Sequence, residues 1–131
     1  MLYRRIASIV TYSMCSGYLL ECYIYYQTKG DFILLTNKWG KGTFGRRFSK
    51  AFKRQKAIKV KRLSGPKSVE GLDWSDHLNF WKMGYSASMI TDTGPNRNMN
   101  YHKKSDTIET IDMERMAKVI EGVYLALLRF K

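Results

Sequence analysis

The sequence of 131 residues predicts an α/β protein in which helices flank a mixed sheet. Short apolar runs rich in β-branched and aromatic residues are bounded by glycine, asparagine or proline, which is typical of strands. Other stretches repeat their apolar residues every three or four positions, which is typical of helices. Because the two kinds of segment alternate along the chain, the pattern favours a sheet sandwiched by helices.

Strands are predicted at four places. Residues 17–26 and 31–36 are apolar runs of strand length, and Asn37 is expected to help close the second run. Residues 57–63 alternate apolar and basic side chains, which is the period of a strand with one exposed face. Residues 87–91 form the fourth predicted strand.

Two helices are predicted in the middle of the chain. Between residues 43 and 55 the phenylalanines fall on one face and most of the arginines and lysines on the other. Residues 76–83 have the pattern of a shorter helix, which Ser75 can cap and Gly84 can stop.

The C-terminal helix is the most strongly patterned element. It follows a loop at residues 92–105 and begins either at Asp106, which has capping-box spacing with Glu109, or at Asp112. A long loop in a compact domain is usually functional or disordered. The apolar stripe of the helix is expected to face the core. Seven residues at helical spacing form this stripe: Met113, Met116, Ala117, Ile120, Val123, Tyr124 and Leu127.

Size and charge limit the possible classes. The length allows one domain with a core, and 44% hydrophobic with 14% aromatic residues fits a folded domain rather than a disordered tail. The net charge of +12 arises in residues 1–69, which hold 15 Lys and Arg against Glu21 and Asp31. Residues 70–131 hold 8 Lys and Arg against 9 acids. Such a basic block is compatible with an anionic partner.

Residues 1–18 are treated as a lead-in without an assigned element. Two arginines precede an apolar segment, as in a targeting sequence, but Glu21 and several hydroxyl side chains interrupt it. A core strand is therefore favoured, and no membrane span is predicted. Cys15 and Cys22 lack zinc-finger spacing and are interpreted as reduced thiols. The compartment stays open.

Two ordered motifs contain both histidines of the chain. The first runs S-D-H-x-x-F-W-x-x-G-Y-x-A-x-M-I-T-D-T from Ser75 to Thr93, and the second runs R-N-x-N-Y-H-x-x-S-D-T-x-E-T-x-D from Arg97 to Asp112. Together they resemble the C-terminal half of the zinc-dependent exopeptidases of clan MH, which include aminopeptidases and glutamate-carboxypeptidase-like enzymes. The resemblance implies their phosphorylase/hydrolase-like fold, and residues 19–131 are predicted to form a partial catalytic domain.

The resemblance implies direct roles for three residues. His102 matches the histidine of the Y-H pair, which ligates one of two zinc ions in the family, and imidazole is a good zinc ligand. Glu21 matches, more loosely, the metal-binding acid of the family strand L-E-M-I-G-Y-Y; the alternative is a strand-end carboxylate in water. Tyr101 matches a tyrosine that hydrogen-bonds the oxyanion in some relatives, and packing on the loop is its alternative.

Further polar residues of the motifs are assigned to the wall of the site or to support behind the ligands. Sequence neighbours such as Ser75, Asp76 and His77 rarely form a catalytic triad, because triad partners converge from separate parts of a chain. Ser75 and Asp106 are also candidate helix caps. The full set of wall and support residues is Ser75, Asp76, His77, Arg97 and Asp106.

The chain holds only part of the ligand set that the resemblance implies. The family also uses an upstream histidine, a bridging aspartate and a Glu-Glu pair, yet the sequence has 2 histidines and no acidic pair before Glu21. Each zinc ion needs about four ligands, so Glu21 and His102 cannot hold two ions. The resemblance therefore implies removal of N-terminal residues from peptide substrates by the parent enzyme, and no hydrolysis by this chain alone.

Three interpretations stay open. The chain is part of a metal-dependent aminopeptidase that needs a missing N-terminal half or a homo-oligomer, or it is a pseudoenzyme, or it is a basic module that binds nucleic acid or another anionic partner through residues 38–67. The last is the least favoured, because Phe44, Phe48 and Phe52 share one helical face and are expected in the core rather than stacked on bases. The first predicts exposed apolar surface.

Overall fold

The structure is a computed structural model that describes residues 31–66, 68–69, 71–92, 100 and 102–130, together with the backbone of 10–12. Within these residues one sheet contains the strands β1 (Val10–Tyr12), β2 (Phe32–Lys38), β3 (Lys59–Gly65) and β4 (Ser88–Thr91). The accompanying α-helices are α1 (Thr43–Phe52), α2 (His77–Lys82) and α3 (Met113–Leu128). The predicted α/β class is confirmed.

The sheet is mixed, and the direction of β4 decides which strand ends lie together. The strand order is β1-β4-β2-β3. β2 runs parallel to β3 and β1 runs parallel to β4, whereas β2 and β4 are antiparallel. The carboxyl ends of β2 and β3 therefore lie at the opposite end of the sheet from the carboxyl end of β4.

α1 is the crossover that the parallel pair β2 and β3 requires. It continues as a 3-10 turn over Lys53–Gln55, so the helix predicted at residues 43–55 is confirmed. Lys56 then adopts a left-handed φ of 60°. Gln55 Oε1 accepts a hydrogen bond from the Ala57 N–H at 2.7 Å. This turn ends the helix and leads the chain into β3.

Two strand predictions differ from the structure. Asn37 lies inside β2 and is fully buried, so the prediction that it closes the strand is wrong. The reason is the neighbouring strand, since β3 pairs with β2 as far as Lys38 and Gly65. β1 lies within residues 1–18, where the sequence pattern predicts no element, and the strand predicted at 17–26 lies outside the described residues.

The larger core lies on the sheet face that α1 and α3 cover. Phe44, Phe48 and Phe52 of α1 are buried there against Ile33 and Leu35 of β2. Burial of each phenylalanine contributes roughly 1.5–3 kcal/mol. The expectation that these rings belong to the core is confirmed, and the arginines and lysines of α1 are exposed.

The opposite sheet face carries a smaller core beneath α2. Leu63 of β3 packs against a buried cluster of Leu72, Trp81 and Ala87. Trp81 Nε1–H donates to the Ala87 carbonyl oxygen at 2.9 Å. α2 is thereby tied to the residues that lead directly into β4.

α3 approaches the core through small residues. Gly122 and Ala126 are its buried residues, and a Cβ on Gly122 would lie 2.7 Å from Phe52 Cε2. So close an approach of α3 to α1 requires glycine at this position. Val123 and Phe130 are half-buried against the same core.

The prediction that the seven-residue stripe of α3 faces the core is therefore wrong at most of its positions. Val123 does pack on the core, but the large side chains beside it are 41–61% exposed. At 100° per residue they form an arc roughly 120° wide on the side opposite Gly122. We call this arc the outer face of α3. Its members are Met113, Met116, Ile120, Tyr124, Leu127 and Leu128.

Candidate functional site

The second motif continues the chain from the carboxyl end of β4, which Asp92 follows directly. Further along, Asn100 and Lys103 close a turn in which the Lys103 N–H donates to the Asn100 carbonyl oxygen at 2.8 Å. Ser105 Oγ donates to Asn100 Oδ1 at 2.9 Å. These two hydrogen bonds hold the backbone on either side of His102.

His102 occupies the third position of this turn and is exposed. Its φ of 59° lies in the left-handed region, which few residues other than glycine adopt, although histidine is enriched there. Such conformations persist where the surrounding structure holds them, and they are concentrated at functional sites. The turn therefore places the imidazole where a ligand or another polypeptide segment can reach it.

Three acids, Asp106, Glu109 and Asp112, lie between this turn and α3. Asp106 Oδ1 accepts a hydrogen bond from Thr110 Oγ1 at 3.3 Å, beside the 3-10 turn Ile108–Thr110. Asp112 is the N-cap of α3, and its carboxylate accepts from the Arg115 N–H at 3.0 Å. The helix thus begins at the second of the two predicted positions, and the prediction that Asp106 caps it is wrong.

The first motif folds into α2 and the turn after it. Asp76 holds the N-cap position but no side chain caps the helix, so the predicted Ser75 cap is wrong. Ser75 instead offers its carbonyl oxygen to the Leu78 N–H at 3.0 Å. Gly84 has a φ of 87° and its N–H donates to the Trp81 carbonyl oxygen. Gly84 therefore ends the helix as predicted.

His77 is fully buried and anchors α2 to the preceding chain. Its Nε2 lies 2.7 Å from the Leu72 carbonyl oxygen, which can only accept, so Nε2 carries the proton. The ring packs edge-on against Trp81, with centroids 4.5 Å apart. Burial lowers the pKa of His77 and outweighs the opposing effects of the Leu72 bond and of the Asp73 and Asp76 carboxylates. The imidazole is therefore neutral at pH 7.

The chain is expected to lose stability as the pH falls below about 6.5, because His77 must then be protonated on unfolding. The unfolded state takes up this proton near pH 6.5, whereas the folded state does so at a lower pH. Between these two pH values the free energy of unfolding falls by at most about 1.4 kcal/mol for each pH unit of acidification. Above about pH 6.5 the contribution of His77 to the stability is complete. Urea unfolding between about pH 5 and 7.5 measures this slope.

One variant separates His77 from the other titrating groups. His77→Gln keeps an N–H donor for the Leu72 carbonyl oxygen and should flatten the slope. A slope that persists in His77→Gln would show that the pH dependence has another source.

A buried polar cluster that sequence analysis did not identify joins β2, β4 and α1. The Ser88 hydroxyl donates to the Asn37 carboxamide oxygen, and both side chains are fully buried. A Cβ on Gly45 would lie only 2.0 Å from that oxygen. Asparagine, serine and glycine carry no distinctive pattern in a single sequence, so only the antiparallel pairing of β2 with β4 reveals this cluster.

The described residues do not by themselves form a zinc site. Among them, no three His, Cys, Asp or Glu side chains come together in a group that could hold a metal ion, whereas zinc takes about four ligands.

No described helix is long and apolar enough to cross a membrane. Several residues with predicted roles or states lie outside the described part of the chain: Cys15, Cys22, Glu21, Arg97 and Tyr101.

Comparison with known proteins agrees with the motifs. Residues 17–127 match peptidase family M28. The chain is 34% identical over 106 residues to the uncharacterized protein YfbL of Escherichia coli (strain K12), and the alignment covers 81% of this chain and 33% of that protein. The chain thus spans about a third of the length of this curated relative. No solved structure gives a significant match. The predicted resemblance is confirmed, and the chain belongs to peptidase family M28.

Proposed function

We propose that the chain is part of a metal-dependent exopeptidase of the aminopeptidase type and supplies some, but not all, of its metal ligands. The observation that carries the proposal is the family match over residues 17–127, which includes His102 and its turn. Membership of the family supports a metal-dependent peptidase domain. We further propose that the metal is zinc and that the reaction removes the N-terminal residue of a peptide.

Within this proposal His102 and Glu21 are metal ligands, and Tyr101 is a hydrogen-bond donor to the oxyanion. The remaining ligands and the general base come from polypeptide outside this chain, because the sequence offers 2 histidines and the described residues assemble no complete ligand group. The exposed, left-handed turn at His102 is suited to a site that closes only when a second segment approaches. No hydrolytic step is assigned to the chain alone.

The outer face of α3 supports the same proposal. A surface helix needs one apolar face, about 100° wide, to pack on the core. α3 already has a face that packs on α1, so its outer face is a second apolar face. Folded monomers rarely expose apolar patches larger than a few hundred Å². The curated relative has about two thirds of its length outside the alignment. We therefore assign the outer face to contact with the rest of an M28-type domain.

Complementation tests the proposal directly. An M28 aminopeptidase of known activity is truncated where its sequence aligns with residue 17, and the remaining N-terminal part is expressed with and without this chain. Neither piece alone should hydrolyse leucine p-nitroanilide with zinc present, and the pair should. Acetylation of the substrate amino group should abolish hydrolysis, as an aminopeptidase requires. Cleavage of the blocked substrate, or of a C-terminal residue instead, would contradict the proposed specificity.

Two variants in one turn test the role of His102. In the complemented enzyme His102→Ala should lower kcat/KM by at least about 100-fold, because a lost metal ligand costs more than the 10–100-fold typical of groups behind the ligands. Lys103→Ala changes the next exposed residue of the turn and should have less than about a twofold effect. Equal activity of the two variants would remove His102 from the metal site.

A further inference from the structure

A cleft lined by positive charge lies at the carboxyl ends of β2 and β3, beside the first turn of α1. Its volume is about 230 Å³. Ligands of α/β proteins bind preferentially at the carboxyl ends of parallel strands, and the cleft occupies that position in the β2–α1–β3 unit. The lining side chains are Lys38, Trp39, Thr43, Arg46, Arg62 and Ser64.

The three cations of the cleft have no described counter-charge. Residues 38–67 contain no acidic residue. The ion pairs in the described part of the chain involve other groups, and Lys38, Arg46 and Arg62 take part in none of them. Like charges around one cavity repel each other more strongly than they would in bulk water. A bound anion would remove this repulsion.

The wall of the cleft is held in place by hydrogen bonds, so the cleft exists before any ligand binds. The Trp39 N–H donates to the Gly65 carbonyl oxygen at 2.9 Å, which joins the ends of β2 and β3. Ser86 Oγ donates to the Lys41 carbonyl oxygen at 2.6 Å and accepts from the Phe44 N–H at 2.9 Å. These bonds fix the loop between β2 and α1, and a preformed site loses less entropy on binding.

We propose that this cleft binds a small phosphate monoester that carries a planar group. A guanidinium group pairs with phosphate oxygens through two parallel hydrogen bonds. Arg46 and Arg62 supply two such guanidinium groups to the cleft. The hydroxyl groups of Thr43 and Ser64 add neutral donors. Trp39 is 64% exposed at the cleft, so its ring is available for stacking against the planar group.

The size and surroundings of the cleft favour a small ligand over a polymer. Its volume is below the roughly 300–1,000 Å³ of pockets that hold drug-sized molecules. The first turn of α1 contains no acid, so the positive end of the helix dipole adds to the attraction for an anion. The phenylalanines of α1 are buried and cannot serve as a stacking platform for a nucleic acid strand.

Titration of the 131-residue chain with phenyl phosphate tests the proposal. At about 0.15 M NaCl, where the Debye length is about 8 Å, calorimetry should give a Kd below about 1 mM. Binding should quench tryptophan fluorescence and raise the Tm. Inorganic phosphate should bind several-fold more weakly, because it cannot stack on Trp39, and Trp39→Leu should remove this difference. No binding of phenyl phosphate by the wild-type chain would overturn the proposal.

Matched arginine variants separate a site from bulk charge. Arg62→Gln or Arg46→Gln should weaken phenyl phosphate about tenfold or more. Arg54→Gln removes the same charge roughly 12 Å along the helix from Arg46, which is beyond the Debye length. This control should weaken the binding of phenyl phosphate less than about twofold. Equal losses in all three variants would mean non-specific attraction. Tighter binding of a single-stranded oligonucleotide without terminal phosphate than of phenyl phosphate would also mean non-specific attraction.

Discussion

The substitution Gly45→Ala is expected to lower the free energy of unfolding by about 3 kcal/mol. A Cβ at this position would lie 2.0 Å from Asn37 Oδ1 and 2.6 Å from Ser88 Oγ. Neither side chain can turn into solvent, because both are fully buried. The added methyl group must therefore break the Ser88–Asn37 hydrogen bond or push α1 away from the sheet. The higher helix propensity of alanine, about 1 kcal/mol, is too small to offset this.

Urea unfolding of three variants checks this result and locates its cause. Gly42→Ala is the matched control, because its Cβ would meet the same Asn37 side chain at 3.5 Å, an ordinary contact; its cost should stay below about 1 kcal/mol. Gly45→Ala combined with Asn37→Ala should cost less than the sum of the two single changes, since removal of the carboxamide makes room for the methyl group. If Gly45→Ala lowers the free energy of unfolding by less than about 1 kcal/mol, the cluster can relax and accommodate the added methyl group. That result would contradict the prediction.

The elements that repeat large apolar side chains could be predicted from the sequence. Phe44, Phe48 and Phe52 give α1 its helical period, and the same rings form the centre of the core. The alternation between residues 57 and 63 places β3, whose Val60 and Leu63 pack on opposite sheet faces. In both cases the side chains that create the pattern are the ones that provide the burial.

The sequence pattern fails where packing depends on small or polar residues. Gly122 and Ala126 contribute nothing to an apolar period, yet they are the residues that let α3 approach Phe52. The larger residues of the stripe are left outside for that reason. The prediction for Asn37 fails in a similar way. Asparagine favours turns, but the pairing of Asn37 with Ser64 of β3 keeps it inside a strand.

The candidate site could be predicted as chemistry but not as geometry. The Y-H pair identifies His102 as a candidate ligand, yet a single sequence contains no signal for its left-handed φ of 59°. His77 stands in an equally polar motif, but the structure buries it against Trp81 and uses it to anchor α2. The roles of Glu21 and Tyr101 stay predictions, because these residues lie outside the described part of the chain.

Charge on the outer face of α3 is expected to abolish complementation while the chain itself stays folded. Ile120 and Tyr124 are 58% and 61% exposed in this chain, so Ile120→Lys combined with Tyr124→Lys should change its free energy of unfolding by no more than about 0.5 kcal/mol. If the rest of an M28-type domain covers this face, two ammonium groups would be buried without partners. Activity of the complemented enzyme should then fall by at least about 100-fold.

Leu125→Lys provides the matched control, because it makes the same kind of change on α3 outside the outer face, at a residue that is 37% exposed. It should complement nearly as well as the wild-type chain. The wild-type chain alone should also bind a hydrophobic dye, and the double variant should bind much less. Full activity of the double variant would mean that another surface receives the rest of the domain. That outcome would leave the metal role of His102 intact, because His102→Ala tests the ligand at a turn that the outer face does not include.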